Sequence, residues 1–485
     1  MILLVVLVVL SMLTFAGLAI VINISTETRA FVYESNRLQL EQVLLSGVEY
    51  LKAFCEKTPA EQFAAGGPDD NPARFSRVPV AAPGGSAPLG YFSVLAPRQE
   101  ADPSTPGGRF GLQSENAKLN LRTLLLWEET GIARARDALM LLPGMTESVA
   151  DSILDWVDAD ESRRPYGAEA DYYATQRLPY RPRNDVPVAI EELLLVRGVE
   201  RYLLIGATFG QPSSAGLSLV TGGGGQSEAT AWVNYITPYS GERNVSSDGL
   251  PRINLNDPEL ARLHQRIAQA FTEEIADFVV FYRQFGPATE EVDSLSDAQA
   301  APGDLAPDFS RSAAHAFRSV FDILDASVEV EVAGRDRVVV RSPLSADPEL
   351  VRQHLSNWID RTTTTADRVL YGRIDITRAP REVLLAIPGM DSTVAERILA
   401  LRQQGTSGGE ESPLARLYFE GAISAEQLRQ LGPFVTTRTD VWTAEIVAED
   451  AGNPNLRLRA VVTVDATAVP ARQVYWKHMG SGPST

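Results

Sequence analysis

The pattern of apolar residues predicts a single long helix at the N-terminus. The first 26 residues, Met1 to Thr26, contain no charged side chain and are almost entirely apolar, which is long enough to span a bilayer. Beyond Thr26, apolar residues recur at spacings of mostly two to four beside charged ones, and no helix breaker interrupts them. We therefore predict one helix from about Leu3 to Cys55, apolar all round in its first half and striped in its second.

Two other interpretations compete with this continuous helix. A cleavable signal peptide would have a basic start, a shorter apolar core and a small-residue cleavage site, and the sequence shows none of these. An ordinary membrane anchor followed by an unrelated helix fits the same apolar run. We favour the continuous helix, with residues 1–25 in the membrane and residues 26–57 outside it.

Short strands are predicted on both sides of a long helical region. A Pro/Gly-rich stretch from Gly66 to Pro88 precedes strands at Tyr91–Leu95 and near Phe110–Gln113. The end of the chain has a turn at Gly452-Asn453-Pro454 among three predicted strands: Val441–Ala448, Leu456–Val464 and Ala471–Trp476. We predict that early and late strands join in one small antiparallel sheet packed on the N-terminal helix, which makes the residues between them an insertion.

An internal repeat divides the inserted region. Its unit is a basic residue, an aliphatic residue, Asn or Asp, and a second aliphatic residue, with a predicted helix directly after it. The three copies are Lys118-Leu119-Asn120-Leu121, Arg252-Ile253-Asn254-Leu255 and Arg373-Ile374-Asp375-Ile376. The Asn or Asp can accept a backbone N–H at the start of that helix, while the aliphatic pair packs into the core.

Two copies of the repeat lead into predicted helix-hairpin-helix units. These cover Ala138–Val157, around Leu142-Pro143-Gly144-Met145, and Val383–Leu401, around Ile387-Pro388-Gly389-Met390. A third, weaker hairpin is predicted at Arg197-Gly198-Val199. Glycine permits the tight turn, and apolar residues on both sides let the paired helices pack together.

Charge and motif content argue against nucleic-acid binding and catalysis. The formal net charge of −18 opposes binding to phosphate backbones. Hairpins that bind DNA use a second glycine two residues after the first, where this chain has Thr146 and Asp391. The four histidines lie far apart, and neither a serine nor the Gly222–Gly225 run stands in a catalytic or phosphate-binding motif. We expect no enzyme and no nucleic-acid partner.

The expected fold class is α+β: a long N-terminal helix, a small antiparallel sheet and a large inserted α-helical domain that contains helix-hairpin-helix repeats. Loop-like composition marks linkers at Gly206–Ser227 and Gly286–Asp308. Five segments are predicted: 1–25, the transmembrane half of the helix; 26–57, its outer half; 58–117, the first part of the body; 118–433, the inserted helical region; and 434–485, the C-terminal strands.

An acidic loop after the first hairpin is the candidate metal site. The candidate ligands are Asp158, Asp160, Ser162, Glu169 and Asp171. The first four stand at positions one, three, five and twelve of a calcium loop, and hard cations prefer several convergent carboxylates. Position six, usually glycine, is Arg163, and Arg164 adds a second positive charge. Calcium is therefore one expectation, and a solvated acidic loop paired with these two arginines is the alternative.

The N-terminal helix resembles that of the type IV pilin superfamily, in which it begins directly after leader cleavage. No leader precedes Met1, so either the numbering begins at the mature protein or the leader has been trimmed. Most pilins carry glutamate at the fifth mature position, where it pairs with the terminal amine of a neighbouring subunit. This chain has Val5. Because an unpaired buried charge is unfavourable, Val5 suits a subunit with nothing above it.

A closer resemblance comes from runs around the acidic loop, which are similar to the signature of type II secretion protein K. They are Asp155-Trp156-Val157-Asp158-Ala159-Asp160, Gly167-Ala168-Glu169-Ala170-Asp171-Tyr172-Tyr173, Tyr180-Arg181-Pro182-Arg183-Asn184 and Glu192-Leu193-Leu194-Leu195-Val196-Arg197-Gly198. The resemblance implies a pilin body with a large helical insertion, calcium binding, and a cap on the pseudopilus built with the I and J minor pseudopilins.

The expected function is therefore that of a structural subunit. The resemblance implies a minor pseudopilin at the pseudopilus tip that initiates assembly, with the I-class, J-class and major pseudopilins as partners. It also implies a single-pass anchor in the bacterial inner membrane and an ectodomain in the periplasm. Two alternatives remain: a minor pilin of a type IV pilus, and a membrane-tethered helix-hairpin-helix protein that binds DNA.

Overall fold

The computed structural model describes residues 2–81, 84, 87–96, 109–206, 231–288, 299–300, 302–331, 337–346, 348–403 and 412–479. Its α-helices are α1 Ile2–Cys55, α2 Pro59–Ala64, α3 Pro72–Phe75, α4 Leu121–Glu129, α5 Ala135–Leu139, α6 Glu147–Val157, α7 Ala170–Ala174, α8 Arg201–Leu204, α9 Leu260–Ala270, α10 Glu273–Phe285, α11 Pro343–Ala346, α12 Pro348–Arg361, α13 Arg381–Leu385, α14 Ser392–Gln403, α15 Pro413–Phe419 and α16 Ala425–Leu431.

Its strands are β1 Val78–Ala81, β2 Pro88–Leu95, β3 Gln113–Ser114, β4 Leu119–Asn120, β5 Ile236–Thr237, β6 Glu242–Arg243, β7 Ile253–Asn254, β8 Gln299–Ala300, β9 Ser327–Val330, β10 Val338–Arg341, β11 Thr362–Thr363, β12 Val369–Leu370, β13 Ile374–Asp375, β14 Val435–Thr436, β15 Val441–Asp450, β16 Arg457–Asp465 and β17 Arg472–His478. Long strands occur mainly at the two ends of the chain.

Helix α1 is continuous over 54 residues, which confirms the predicted long helix. Nearly all the described side chains of its N-terminal half are exposed, Phe15 and Ile20 among them. Burial begins at Leu40 and continues through Val43 to Leu51 on one face. Among the described helices, this is the one that is long and apolar enough to cross a membrane. The side chain of Val5 lies outside the described residues.

One sheet joins the two ends of the chain, as predicted. Its strand order is β1-β2-β15-β16-β17, and β3 also pairs with β15. Strand β2 lies antiparallel to β15, with Leu95 opposite Glu445 and Gly90 opposite Asp450. Apolar residues from one sheet face, such as Ile446 and Val462, form a core with α1. The strand expected near Phe110–Gln113 is displaced, because regular pairing there begins only at β3.

The region between β3 and β15 has its own apolar core, formed by buried residues from Ala117 to Val435. Each repeat copy contributes one short strand that pairs in parallel with a later segment: β4 with β5, β7 with β11, and β13 with β14. The repeat therefore closes three successive loops of the insertion, each around helices.

The polar residue of each repeat accepts a backbone hydrogen bond, but the predicted helix cap forms only at Asn120, because α9 and α13 begin six residues after Asn254 and Asp375. Asn120 accepts one from the N–H of Arg122 at 2.9 Å. Asn254 and Asp375 make the equivalent bond two residues ahead, at 3.0 and 2.9 Å. The three copies thus share one local conformation, in which the side chain satisfies a donor that the strand leaves open.

Two helix pairs occupy the positions of the two main predicted hairpins. Helices α5 and α6 are joined through Gly144 at φ 69°, and α13 and α14 through Gly389 at φ 82°, a left-handed conformation that favours glycine. Thr146 accepts a hydrogen bond from Val149 N, and Asp391 from Val394 N, so both begin the second helix. Thr146 and Asp391, which stand where DNA-binding hairpins have their second glycine, therefore cap the second helix of each pair.

The predicted linkers lie largely outside the described residues, including the Gly222–Gly225 run. Part of the second one is structured. Gln299–Ala300 forms β8, which pairs in parallel with Val339–Val340 of β10. The interpretation of Gly286–Asp308 as a plain linker is therefore wrong at these two residues, because the backbone of β10 pairs with them.

Candidate functional site

The inserted region contacts the body at the C-terminal end of α1. Arg243, in β6, donates to the carbonyl oxygens of Glu56 at 3.3 Å and Lys57 at 3.0 Å. Its guanidinium also lies 2.7 Å from the Asp440 carboxylate, just before β15 begins. A cation at this position satisfies carbonyl groups that a helix end leaves without partners. The insertion is thereby fixed at the end of α1 that lies farthest from its apolar half.

The acidic loop begins at the end of α6, next to the buried carboxylate of Asp155. Asp155 has no exposed surface, and Trp156 beside it packs edge-to-face on Tyr173 with ring centroids 5.2 Å apart. The aromatic contact ties the helix to α7, which starts directly after Glu169. The fold thus holds residues on both sides of the loop close together.

Arg164 occupies the centre of the loop. Its guanidinium lies 3.0 Å from Asp155 and 3.0 Å from Glu128, and it also pairs with Asp158. Its backbone N–H donates to Asp155 as well. One arginine therefore neutralises part of the charge of three carboxylates. This arrangement matches the arginine-paired alternative predicted from the sequence.

Glu169 is a buried carboxylate without such compensation. Its side chain is 4% exposed, and neither carboxylate oxygen has a hydrogen-bond partner among the described residues. Burial raises the pKa of Glu169 to about 7, and the negative charges of Asp155 and Asp158 add to the shift. Asp151, which is equally buried, shows the contrast, because Arg136 pairs with both of its oxygens. Glu169 is therefore the group here that most needs a cation.

Two further oxygens near the loop have no hydrogen-bond partner among the described residues: Oδ1 of Asp158 and Oδ1 of Asn184. Asn184 lies over the loop in a left-handed conformation, φ 52°. Its Nδ2 donates to the Asp160 carbonyl oxygen, and its backbone N–H donates to that of Trp156, each at 3.0 Å. These bonds leave the amide oxygen able to accept from a donor or to ligate a cation.

The remaining predicted ligands have local partners. Asp160 accepts from the backbone N–H of Ser162 at 2.6 Å, which places both residues in one exposed turn. Asp171 is 68% exposed and lies 3.4 Å from Arg163. The structure therefore brings Asp158 and Glu169 into one electrostatic cluster, with Asp160 close enough to influence it, and leaves Ser162 and Asp171 at its edge.

The donor chemistry fits a hard cation, because the unpartnered atoms are carboxylate and amide oxygens. The residues that would hold calcium are Asp158, Glu169 and Asn184, with Asp155 beside them. Within the described part of the chain, however, no three acidic, His or Cys side chains already surround a single point. Arg164 supplies the positive charge in this arrangement, so an ion would have to displace its guanidinium.

The predicted ligand set omits Asp155 and Asn184. A signal for Asn184 is present in the sequence, since it ends one of the four runs that carry the family resemblance. Loop numbering could not identify it, because it stands fifteen residues beyond Glu169 and reaches the site through tertiary folding. Asp155 carries the same signal, since it begins the first of these runs, but the calcium-loop numbering starts at Asp158 and so leaves it out.

The architecture is a long, apolar-ended helix packed on an antiparallel sheet, with a large helical insertion. Comparison with protein families finds that residues 117–204 match the model described as type II secretion system (T2SS), protein K. The match confirms, over these residues, the predicted resemblance to protein K of type II secretion. The matched segment contains the first repeat copy, α4 to α8 and the acidic loop.

No curated protein sequence matches the chain. Among solved structures, the chain is similar to one in the crystal structure of the GspK-GspI-GspJ complex from the enterotoxigenic Escherichia coli type 2 secretion system. The match covers 92% of this chain and 98% of that one, at 12% identity and a TM-score of 0.34. A likeness at this level carries no argument, and the identification rests on the family model.

Proposed function

We propose that this chain is a minor pseudopilin of a type II secretion system, and that it occupies the tip of the pseudopilus and initiates its assembly. The observation that carries the proposal is the position of the insertion at the Cys55 end of α1, fixed by Arg243 to the Glu56 and Lys57 carbonyl groups. Subunits of a helical filament stack along their long helices. An insertion whose core runs from Ala117 to Val435 would then occupy the space of the next subunit up.

The tip position also determines the partners and the location that we propose. The I-class and J-class minor pseudopilins and the major pseudopilin would contact α1 and the sheet, since the insertion leaves the N-terminal half of α1 uncovered. That apolar half would lie in the bacterial inner membrane, with the rest of the chain in the periplasm. We propose no catalytic role.

Immunogold labelling tests the tip assignment. Antibody against the insertion should mark one end of isolated pseudopili, because only a terminal subunit has free space above α1. An antibody against the major pseudopilin serves as the control and should label the whole shaft. Insertion labels spread along the shaft would contradict the proposal.

We further propose that the acidic loop binds calcium. Three side chains with unpartnered buried oxygens among the described residues support this: Glu169, Asp158 and Asn184. Calcium would neutralise the buried carboxylates that Arg164 leaves uncompensated. Binding to the folded state alone would stabilise it by about 2.7 kcal/mol at a hundredfold excess over Kd.

A thermal melt of the fragment from Glu27 onward, in calcium and in chelator, tests this. The fragment loses no buried core residue, since burial in α1 begins at Leu40. Calcium should raise Tm, and Glu169→Gln should abolish most of the increase. Magnesium serves as a control, because its smaller octahedral shell suits a site with few fixed donors poorly. Equal Tm values in calcium and chelator would reject the calcium site.

The predicted hairpins would then serve packing within the insertion. Their second-helix caps, Thr146 and Asp391, replace the glycine amides that DNA-binding hairpins present to phosphate. Asp391 also places a negative charge at that point. We propose that helix-hairpin-helix units in this chain are structural elements without a nucleic-acid partner.

A further inference from the structure

A large cleft lies within the insertion, away from the acidic loop and from α1. Its volume is about 1070 Å³, and α12, the Thr362–Tyr371 segment and the Gly432–Arg438 segment form most of its walls. Five arginines line it: Arg252, Arg318, Arg368, Arg373 and Arg438. Two lining residues are acidic, Asp360 and Asp367. Over the whole chain 62 acidic residues outnumber 44 basic ones, so the cleft reverses the overall balance.

The three inner arginines share two carboxylates. Arg373 lies 2.7 Å from Glu242 and Arg252 lies 3.9 Å from the same oxygen. Arg438 pairs with Asp360, whose carbonyl oxygen accepts from Arg252 at 3.0 Å. Two of these arginines are the first residues of repeat copies, so the repeat itself brings them to one point.

The inner cluster holds more positive charge than its partners neutralise. Nε of Arg373 is buried without a hydrogen-bond partner among the described residues, and the Arg252 side chain is 6% exposed. Burial lowers the pKa of Arg438 to about 10, and the charge of Arg252 lowers it further. The three inner arginines thus face two directly paired carboxylates, Glu242 and Asp360, which leaves an excess of one positive charge.

The cleft is lined by two further arginines, Arg318 and Arg368. Arg318 and Arg368 are exposed, and within the described residues their guanidinium groups form no hydrogen bond or ion pair. In the chain, Arg318 precedes α12 and Arg368 follows it. Hydroxyl groups of Thr364, Thr437 and Ser412 also line the cleft. The cleft therefore offers several hydrogen-bond donors besides the inner arginines.

We propose that this cleft binds an acidic peptide segment of a partner protein, with one carboxylate at the inner arginines and others at Arg318 and Arg368. Arginine suits carboxylates because its planar fork can donate two parallel hydrogen bonds. The surplus charge of the inner cluster and the two further arginines of the cleft suit a segment that carries more than one carboxylate. The volume is at the upper limit of small-molecule sites, which accommodates several peptide side chains.

Fluorescence anisotropy with the full chain in detergent tests the proposal. The probe is a fluorescein-labelled decapeptide of alternating glutamate and serine, and the matched peptide has glutamine for glutamate. The glutamate peptide should bind and the glutamine peptide should not. Binding should weaken with salt, because exposed arginines contribute through screened charge.

Two double variants test the location of binding. Arg318→Gln with Arg368→Gln should weaken peptide binding at least tenfold without loss of folding, because neither guanidinium has a hydrogen-bond or ion-pair partner within the described residues. Arg134→Gln with Arg341→Gln makes the same charge change at exposed positions elsewhere and should leave binding unchanged. Each of four results would overturn the proposal. The two double variants could weaken binding equally, the glutamine peptide could bind as well as the glutamate peptide, or neither peptide could bind. Inorganic phosphate could also saturate the cleft at concentrations where the peptide does not bind.

Discussion

The guanidinium of Arg164 donates a hydrogen bond of 3.0 Å to Oδ1 of Asp155, a carboxylate with no exposed surface. Removing the arginine would leave this carboxylate buried and unpaired. We expect Arg164→Gln to destabilise the chain in chelator by roughly 3–5 kcal/mol, as for other broken buried pairs. Chemical denaturation in chelator measures the change.

The same variant discriminates between the two interpretations of the loop. If calcium replaces the guanidinium, it should restore much of the stability of Arg164→Gln. Arg163→Gln is the matched control: Arg163 and its partner Asp171 are 56% and 68% exposed, so the cost should stay below about 1 kcal/mol. Failure of calcium to stabilise Arg164→Gln would favour the arginine-paired loop.

Glu169 makes stability depend on pH in a predictable direction. Its pKa rises on folding from 4.5 to about 7, so the folded state favours the protonated carboxyl. The associated stability is complete below pH 4.5 and is lost as pH rises through about 7. Asp155, Asp158 and Asp160 face the group with negative charge, and Arg164 offsets them in part.

Melting curves in chelator between about pH 4.5 and pH 7.5 measure this loss. The wild-type Tm should fall relative to that of Glu169→Gln as pH rises, and calcium should reverse the trend by favouring the ionised form. Parallel curves for the two proteins would show that Glu169 titrates normally and would remove the main support for a cation at this position.

The Asn or Asp of the repeat should contribute a measurable amount to stability at each copy. Asn254→Ala should cost about 1 kcal/mol, because the Asn256 N–H loses its acceptor. Asn254→Asp retains the acceptor oxygen and should restore stability. Equal destabilisation by both substitutions would show that something other than this hydrogen bond matters at the position.

Val5 alone should not determine where the subunit lies in a filament. We expect Val5→Glu to leave insertion labels at the pseudopilus tip, because the insertion still blocks the position above. Deleting residues 118–433 together with Val5→Glu should allow entry into the shaft, since the α1–sheet core draws no residue from that region. Shaft labelling of the Val5→Glu single variant would show that the fifth residue dominates.

No binding to duplex DNA is expected at physiological salt. The net charge of −18 repels phosphate, and Asp391 stands where a DNA-binding hairpin needs an unobstructed glycine amide. A gel shift with the full chain in detergent measures this. Micromolar binding that weakens with salt would reverse the structural interpretation of the hairpins.

Local patterns predicted the elements well, and tertiary proximity was harder to predict. The α1 helix, the three C-terminal strands and the repeat arise from spacing along the chain, which the backbone converts directly into faces and turns. Asn184 reaches the acidic loop only through folding. The cluster around Glu242 joins Arg252, Arg373 and Arg438, which lie more than sixty residues apart. The repeat marks two of these arginines, but nothing in the sequence shows that they meet Arg438 there.

The neighbouring strands β2 and β15 have a consequence for how the chain matures. Leu95 and Glu445 lie opposite each other although 350 residues separate them. At about 5–20 residues per second, the ribosome needs roughly 20–70 s to supply the second strand after the first. Throughout that interval the edge of β2 has no permanent neighbour, and the apolar stripe of α1 lacks most of its covering. Until its last strands arrive, a newly made chain therefore exposes an unpaired strand edge and an apolar helix face, and both favour aggregation.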